Sequence, residues 1–123
     1  MTLIIDDNKT IAQNIIDELE LDDIVAHSVH TVDEFQEKLR DVNFNKFTHI
    51  VMDYNLEDTM NGIELLELMI KKLLHLDKRT YLFSGNLSYI SNNEKEFLAN
   101  NNIKPVCKSE LESLIDDIID TQK

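Results

Sequence analysis

Short apolar runs alternate along this chain with longer stretches in which apolar residues recur every three or four positions. The short runs are typical of buried β-strands, and the longer spacing is typical of one face of an α-helix. Together they predict five strands that alternate with five helices. The predicted strands cover residues 3–5, 24–29, 50–52, 80–83 and 103–107.

Strict alternation of strand and helix predicts a parallel sheet with helices on both faces, an α/β doubly wound architecture. The runs that end at Asp6 and Asp53 are apolar without polar interruption, as expected for strands buried on both faces. The 123 residues suit a single domain, and we predict that it spans 1–123.

Three helix starts carry the capping-box pattern, a Ser or Thr followed three residues later by Glu. The patterns begin at Thr31, Ser91 and Ser109, and each predicts a helix over the residues that follow it. The other two helices are predicted from apolar spacing alone, around residues 11–19 and after Gly62.

The chain is strongly acidic, with a formal net charge of −12, while 42% of its residues are apolar. Such a surface repels phosphate backbones and anionic lipids, which argues against direct nucleic-acid or membrane binding and favours a cation or a basic partner. Cys107 is the single cysteine, so no disulfide can form within the chain. Because we find no signal-peptide pattern and no membrane-spanning apolar run, we expect a cytoplasmic protein.

Residues with polar chemistry follow four of the predicted strands at their carboxyl ends. These are Asp6 and Asp7 after the first strand, Asp53 after the third, Ser84 after the fourth and Lys108 after the fifth. Ligands of doubly wound sheets bind at this edge, near the point where strand order reverses. The topology therefore predicts that these side chains share one site.

Neighbouring carboxylates repel each other unless a cation neutralises them, and hard oxygen ligands at such an edge suit Mg²⁺. A carboxylate can also act as the nucleophile that accepts a phosphoryl group. Ser84 and Lys108 would then suit the remaining phosphoryl oxygens, in a reaction that needs mainly positioning and charge neutralisation. The two glycines, Gly62 and Gly85, follow residues of this edge, where backbone must turn or approach a ligand closely.

Each of these residues alone has an ordinary explanation. Acidic residues such as Asp6 and Asp7 favour helix N-termini, Asp53 and Ser84 could be turn residues, and Lys108 could be a solvated surface lysine. Their occurrence together, each on a predicted strand end, favours a site.

In this arrangement the chain resembles the receiver domains of bacterial two-component response regulators, over essentially its whole length. The family motif is an acidic pair after strand one, Asp after strand three, Ser or Thr after strand four and Lys after strand five. The resemblance implies a flavodoxin-like fold with strand order 2-1-3-4-5. It also implies a signalling domain rather than an enzyme, one that assists its own phosphorylation and dephosphorylation on Asp53. Lys108 would contact the phosphoryl group or Asp53, and Ser84 would hydrogen-bond a phosphoryl oxygen in the active state.

By the same resemblance, the phosphoryl group would come from the phosphohistidine of a histidine kinase or histidine phosphotransfer protein, which docks on helix one and the fifth βα loop. Asp7, Asp53 and the backbone carbonyl of Asn55 would bind Mg²⁺ directly, and Asp6 would act largely through a water. The resemblance also implies a downstream protein target.

Two positions depart from the family pattern. Ser109 replaces the proline that usually follows the motif lysine in a cis bond, so we expect a trans or strained link between Lys108 and Ser109. Pro105 occupies the position of the switching aromatic residue, and proline belongs on an edge strand. The usual coupling to an aromatic residue at that position is therefore not expected.

Two other functions stay open from the sequence. A degenerate receiver that acts as a phosphorylation-independent protein-binding module is compatible with Ser109 and Pro105. A Mg²⁺-dependent phosphohydrolase is less favoured, because such enzymes place a second Asp two residues after the nucleophile, where this chain has Asn55. A zinc site at His27 and His30 is also disfavoured, since the sequence offers no further Cys or His at ligand spacing.

Overall fold

A single parallel sheet organises the computed structural model, which describes residues 1–56, 59–73 and 77–122. Its strands are β1 (Thr2–Ile5), β2 (Ala26–Val29), β3 (His49–Asp53), β4 (Arg79–Ser84) and β5 (Ile103–Cys107). The helices are α1 (Lys9–Glu20), α2 (Val32–Arg40), α3 (Gly62–Leu73), α4 (Asn92–Asn100) and α5 (Leu111–Asp120). The strand order β2-β1-β3-β4-β5 confirms the predicted flavodoxin-like fold. None of the described helices is both long and apolar enough to cross a membrane.

The central strands are buried on both faces, because their side chains alternate between two apolar clusters. In β1, Leu3 and Ile5 join the cluster under α2, α3 and α4, while Ile4 joins the cluster under α1 and α5. In β3, Met52 and Val51 divide between the clusters in the same way. This two-sided burial explains why these strand sequences are continuously apolar.

β2 begins at Ala26, two residues later than predicted, because the chain turns at Asp23. Asp23 adopts a left-handed backbone conformation with φ 60°. The N–H of Ile24 then returns to the carbonyl of Leu19 at 3.1 Å, so it completes the end of α1 instead of entering the sheet.

Two helix starts carry the predicted caps, one fully and one in part. Ser91 and Glu94 form the complete capping box at α4. At α2, Thr31 Oγ1 accepts from the N–H of Glu34 at 3.1 Å, as predicted. The Glu34 carboxylate, however, accepts from the backbone N–H of His30, one residue earlier than a capping box requires.

The predicted capping box at Ser109 is wrong. Residues Lys108–Glu110 form a short 3₁₀ helix, and α5 follows Glu110 without a side-chain cap. Ser109 Oγ donates instead to Cys107 Sγ at 3.2 Å. The peptide between Lys108 and Ser109 is trans, as expected for a bond that precedes a residue other than proline.

β5 is an edge strand, as predicted from Pro105. Pro105 is exposed and lies opposite Leu82 of β4. A residue without an N–H is tolerated at this position because no described strand lies beyond β5.

Gly62 is required by a close backbone approach between α3 and the end of β3. A Cβ on Gly62 would lie 2.2 Å from the carbonyl oxygen of Asp53, and the Gly62 N–H donates to the carbonyl of Tyr54 at 2.9 Å. No side chain fits there unless the backbone that carries Asp53 moves. Gly85 differs, since a Cβ there would meet nothing within 4 Å.

We predict that Gly62→Ala lowers the free energy of unfolding by about 1–3 kcal/mol, because the added methyl group displaces backbone rather than a flexible side chain. Urea denaturation followed by circular dichroism measures the loss. Gly85→Ala is the matched control, and its effect should stay within about 1 kcal/mol. Equal losses in the two variants would show that the close approach at Gly62 does not constrain the fold.

Candidate functional site

Three aspartates meet at the carboxyl ends of β1 and β3. Asp6 and Asp7 directly follow β1, and Asp53 is the last residue of β3. Because these strands are parallel neighbours, one carboxylate oxygen from each residue lies within 4.8 Å of the others. Asp6 and Asp53 are 1% and 2% exposed, whereas Asp7 is half-buried. No other group of three His, Cys, Asp or Glu side chains placed to share a metal ion occurs in the described parts of the chain.

Lys108 supplies the positive charge opposite these aspartates. Its Nζ lies 3.0 Å from Asp53 Oδ1 and 3.5 Å from Asp6 Oδ2. Lys108 directly follows β5, and its side chain is 24% exposed. Its ammonium also lies 5.9 Å from the ring centroid of Phe83, within cation–π range. One ammonium thus bridges two buried carboxylates.

Two backbone N–H groups bind the same carboxylates. The N–H of Asn8 donates to Asp6 Oδ1 at 2.8 Å, and the N–H of Asn55 donates to Asp53 Oδ1 at 3.4 Å. The second oxygen of Asp6 and of Asp53, Oδ2, is buried and accepts no hydrogen bond from the described residues. Buried polar atoms are normally satisfied. Asp6 Oδ2 has only the ion pair with Lys108 at 3.5 Å, and Asp53 Oδ2 has no ion pair with a described residue, so Asp53 Oδ2 in particular suits a cation that the chain itself does not supply.

The ionisation of Asp53 depends on this environment. Burial and the nearby Asp6 carboxylate raise the pKa of Asp53 to about 7, although Lys108 opposes the rise. For Lys108, burial acts to lower the pKa, but Asp53 and Asp6 together raise it above its ordinary value. The ammonium is therefore charged at neutral pH while Asp53 is only partly ionised. A further positive charge near Asp53 would favour its ionised form.

A polar cleft of about 400 Å³ opens in front of Asp53. It is lined by Asp7, Asn8, Asp53, Asn55 and Lys108. The acidic side chains and backbone carbonyls offer oxygen ligands for a hydrated Mg²⁺, and the ammonium can donate to phosphoryl oxygens. The cleft therefore suits a hard cation together with a small anion.

Ser84 is the last residue of β4, and its hydroxyl is hydrogen-bonded to Asn86. The side chain is buried, and Oγ donates to the carbonyl of Asn86 at 3.4 Å and accepts from the N–H of Asn86 at 3.3 Å. The structure thus brings the predicted aspartates and lysine together, while the predicted hydroxyl is hydrogen-bonded to Asn86.

Two residues that contact Asp6 were not predicted. Asn8 is the N-cap of α1, where its side chain accepts from the N–H groups of Thr10 and Ile11. An Asn just before a helical pattern is a signal that could have identified it. His30 Nδ1 lies 2.9 Å from the carbonyl of Asp6, and since a carbonyl only accepts, Nδ1 carries the proton. This contact joins residues 24 positions apart, so no local pattern predicts it.

Tyr54, the residue after Asp53, connects the end of β3 with α4. Its OH donates to the Glu94 carboxylate, 3.2 Å from Oε2, in the first turn of α4. An aromatic side chain next to Asp53 therefore contacts α4. The position at which the family pattern has its switching aromatic residue is occupied by Pro105 instead.

Comparison with known protein families identifies the family to which the chain belongs. A family model for the response regulator receiver domain matches residues 2–94. The chain belongs to this family. It is thus a receiver domain, a signalling domain of the kind that the strand-end motif implies. No curated protein matches the chain in sequence.

Solved receiver domains share the fold at low sequence identity. A CheY-like receiver domain protein from Methanospirillum hungatei JF-1 is 26% identical, with a TM-score of 0.69 over 98% of this chain and 94% of that chain. The non-phosphorylated HemR receiver domain from Leptospira biflexa is 18% identical, with a TM-score of 0.75 over 99% and 94%. A response regulator from Burkholderia pseudomallei, solved with a phosphorylated aspartic acid, calcium ion and citrate, is 21% identical, with a TM-score of 0.70 over 93% and 63%. The last two similarities show the fold alone.

We predict that, without divalent cations, the receiver domain loses stability as pH rises from about 4 to about 7. The pKa of Asp53 is 3.8 ordinarily and about 7 in the fold, so the fold favours the protonated carboxyl. That contribution is complete below the lower pKa and is lost as pH rises through the higher one. Asp53→Asn removes this titration, and urea unfolding of both proteins in EDTA across this range measures the difference. Parallel pH profiles would contradict the raised pKa.

Proposed function

We propose that this receiver domain accepts a phosphoryl group on Asp53 and acts as a switch or relay intermediate in a two-component phosphorelay. The donor is the phosphohistidine of a histidine kinase or histidine phosphotransfer protein, and the reaction uses Mg²⁺. The observation that carries the proposal is the buried Asp53 carboxylate, held 3.0 Å from Lys108 and grouped with two further aspartates at a polar cleft.

The reaction transfers a phosphoryl group from the donor's imidazole nitrogen to the Asp53 carboxylate. An oxygen of the Asp53 carboxylate bonds to phosphorus while the bond from phosphorus to the donor's imidazole nitrogen breaks, and that electron pair stays on the imidazole. The product is an acyl phosphate on Asp53. The ionised carboxylate is the effective nucleophile, so a charge that counters the raised pKa of Asp53 favours transfer at neutral pH.

Lys108 stabilises both the reactant and the product in this scheme. Before transfer, its ammonium contacts Asp53 Oδ1 and Asp6 Oδ2. After transfer, the carboxyl of Asp53 no longer carries a full negative charge, and the charge resides on the phosphoryl oxygens. The ammonium can then donate to one of those oxygens while it remains near Asp6.

The residues around Asp53 fit Mg²⁺. Three carboxylates lie together, Lys108 forms ion pairs with two of them, and Asp53 Oδ2 is buried without a hydrogen bond from the described residues. Asp7, Asp53 and the backbone carbonyl of Asn55 would hold the ion directly, and Asp6 would contribute largely through a water. When bound, the ion supplies positive charge that neutralises the carboxylates and the phosphoryl oxygens.

Ser84 and Tyr54 are placed to transmit the effect of Asp53 phosphorylation to the rest of the domain. The Ser84 hydroxyl would leave Asn86 and donate to a phosphoryl oxygen, and the space at Gly85 is open beside it. The Tyr54 hydroxyl is bonded to Glu94, so a shift of the backbone at Asp53 would be transmitted to the start of α4.

The donor protein is proposed to dock on α1 and on the segment between β5 and α5. The receiver domain is proposed to span 1–123, to be cytoplasmic and to act on a protein target. A formal net charge of −12 agrees with a protein target rather than nucleic acid or an anionic membrane.

A phosphorylation-independent protein-binding module is the second candidate. Two observations favour it. Pro105 replaces the switching aromatic residue, and the hydroxyl of Ser84 is bonded to Asn86. In that case the aspartates would bind a cation but never a phosphoryl group.

We predict that incubation with Mg²⁺ and acetyl phosphate adds one phosphoryl group to the wild-type chain, measured as a single increment in intact mass. The increment should be absent in EDTA and absent in Asp53→Asn, which keeps the shape of the side chain but lacks the nucleophilic carboxylate.

Asp33→Asn is the matched control, because Asp33 is an exposed aspartate on α2, and this variant should be phosphorylated like the wild type. Consumption of acetyl phosphate is followed in parallel to detect rapid turnover. An unmodified wild type that binds Mg²⁺ and consumes no donor would refute the phosphoacceptor and favour the binding module.

A further inference from the structure

An acidic groove with an apolar floor lies at the end of the sheet opposite Asp53, between the end of α1 and the start of β2. We call it the α1–β2 groove, and its volume is about 290 Å³. It is lined by Ile16, Glu20, Asp23, Ile24, Val25 and Ala26. Because the phosphoacceptor cleft lies at the carboxyl ends of the strands, the two sites are separate.

The groove and its border expose large apolar side chains. Val25 is 55% exposed and nearby Leu21 is 79% exposed, and only four large hydrophobic residues are this exposed in the described chain. Ile16 and Ile24, which form the floor, are half-buried and pack against the core. Neighbouring exposed apolar residues of this kind often mark a binding surface.

Glu20 and Asp23, the two acidic residues that line the groove, form no ion pair with another described residue. Residues 16–26 include five acidic residues and no Lys, Arg or His. None of the five forms an ion pair with another described residue. The last turn of α1 has no basic residue, although the C-terminal end of a helix favours cations. α2 and α3 carry basic residues there, whereas α4 and α5, like α1, carry none, although Asp117 of α5 is paired with Lys104 at 3.6 Å.

We propose that the α1–β2 groove binds an arginine or lysine side chain from an extended segment of a partner protein. The aliphatic stem of such a side chain would pack on Ile16, Ile24 and Val25. Its charged end would reach the carboxylates of Glu20 and Asp23, where it would also complement the end of α1.

The free edge of β2 gives the backbone of the same segment a place to bind. β1 is the only described neighbour of β2. The carbonyls of Val25 and Val29 accept hydrogen bonds from the β1 side, so the backbone groups of Ala26 and Ser28 face away from the sheet. An extended segment can pair with these groups as an added strand.

A second copy of this chain fits the groove poorly. Pairing two β2 edges would bring the acidic residues of both copies together, and each copy has a formal net charge of −12. Charge therefore favours a basic partner. The proposal does not depend on phosphoryl transfer to Asp53.

The test is an NMR titration of the ¹⁵N-labelled chain with a short capped peptide that alternates valine and arginine. We expect amide shifts within residues 16–28 and slower hydrogen exchange at the N–H groups of Ala26 and Ser28. The same peptide with glutamine in place of arginine should bind about tenfold more weakly.

Matched double variants separate the groove from general charge attraction. Glu20→Gln with Asp23→Asn should weaken binding of the arginine peptide about fivefold. Asn is tolerated in the left-handed conformation of Asp23, so the turn is kept. Glu67→Gln with Glu96→Gln removes the same charge from exposed helical positions, and should change the affinity less than about twofold.

Three outcomes would overturn the proposal. Equal weakening by the two double variants, or shifts spread over the whole acidic surface, would show unspecific attraction. Dimerisation of the Glu20→Gln, Asp23→Asn variant with unchanged peptide affinity would show that the carboxylates only keep β2 edges apart. Absence of binding to the arginine peptide would exclude the proposed partner chemistry.

Discussion

The contact of Lys108 with two buried carboxylates is the interaction on which the rest of the site depends. Without the ammonium, Asp6 and Asp53 would place negative charge side by side where water is largely excluded, which is strongly unfavourable. Even with it, the pKa of Asp53 is about 7. The chain therefore maintains a site that gains stability from added positive charge. In the proposed function, this excess of negative charge favours the binding of Mg²⁺. The ion would in turn neutralise the phosphoryl oxygens.

The fold assembles this contact from three distant segments. Parallel strands bring the ends of β1, β3 and β5 to one edge, and two-sided burial fixes their register. Close packing at Gly62 holds the backbone of Asp53, and the N–H of Asn8 together with the imidazole of His30 holds Asp6. The surroundings of the two carboxylates are therefore set by backbone contacts as much as by side chains.

The sequence was sufficient to predict the strands, the helices and the edge where the aspartates and Lys108 meet, because apolar spacing and parallel topology determine all three. It failed where several local partners compete. Ser109 has a capping pattern, but its hydroxyl bonds to Cys107 and α5 begins without a side-chain cap. The contact between His30 and Asp6 spans 24 positions and exists only after the sheet has formed. Side-chain rotation and long-range contacts of this kind have no periodic signature.

The proposed switch requires Asp53 to accept a phosphoryl group that is then held by Lys108 and sensed by Ser84. A crystal structure of the chain with Mg²⁺ and beryllium fluoride, a phosphoryl mimic, tests it most directly. We predict a beryllium adduct on Asp53, a cation bound by Asp7 and Asp53, a fluoride contact to Lys108, and a Ser84 hydroxyl turned away from Asn86. An unmodified Asp53 with Lys108 still bridging the carboxylates would contradict it.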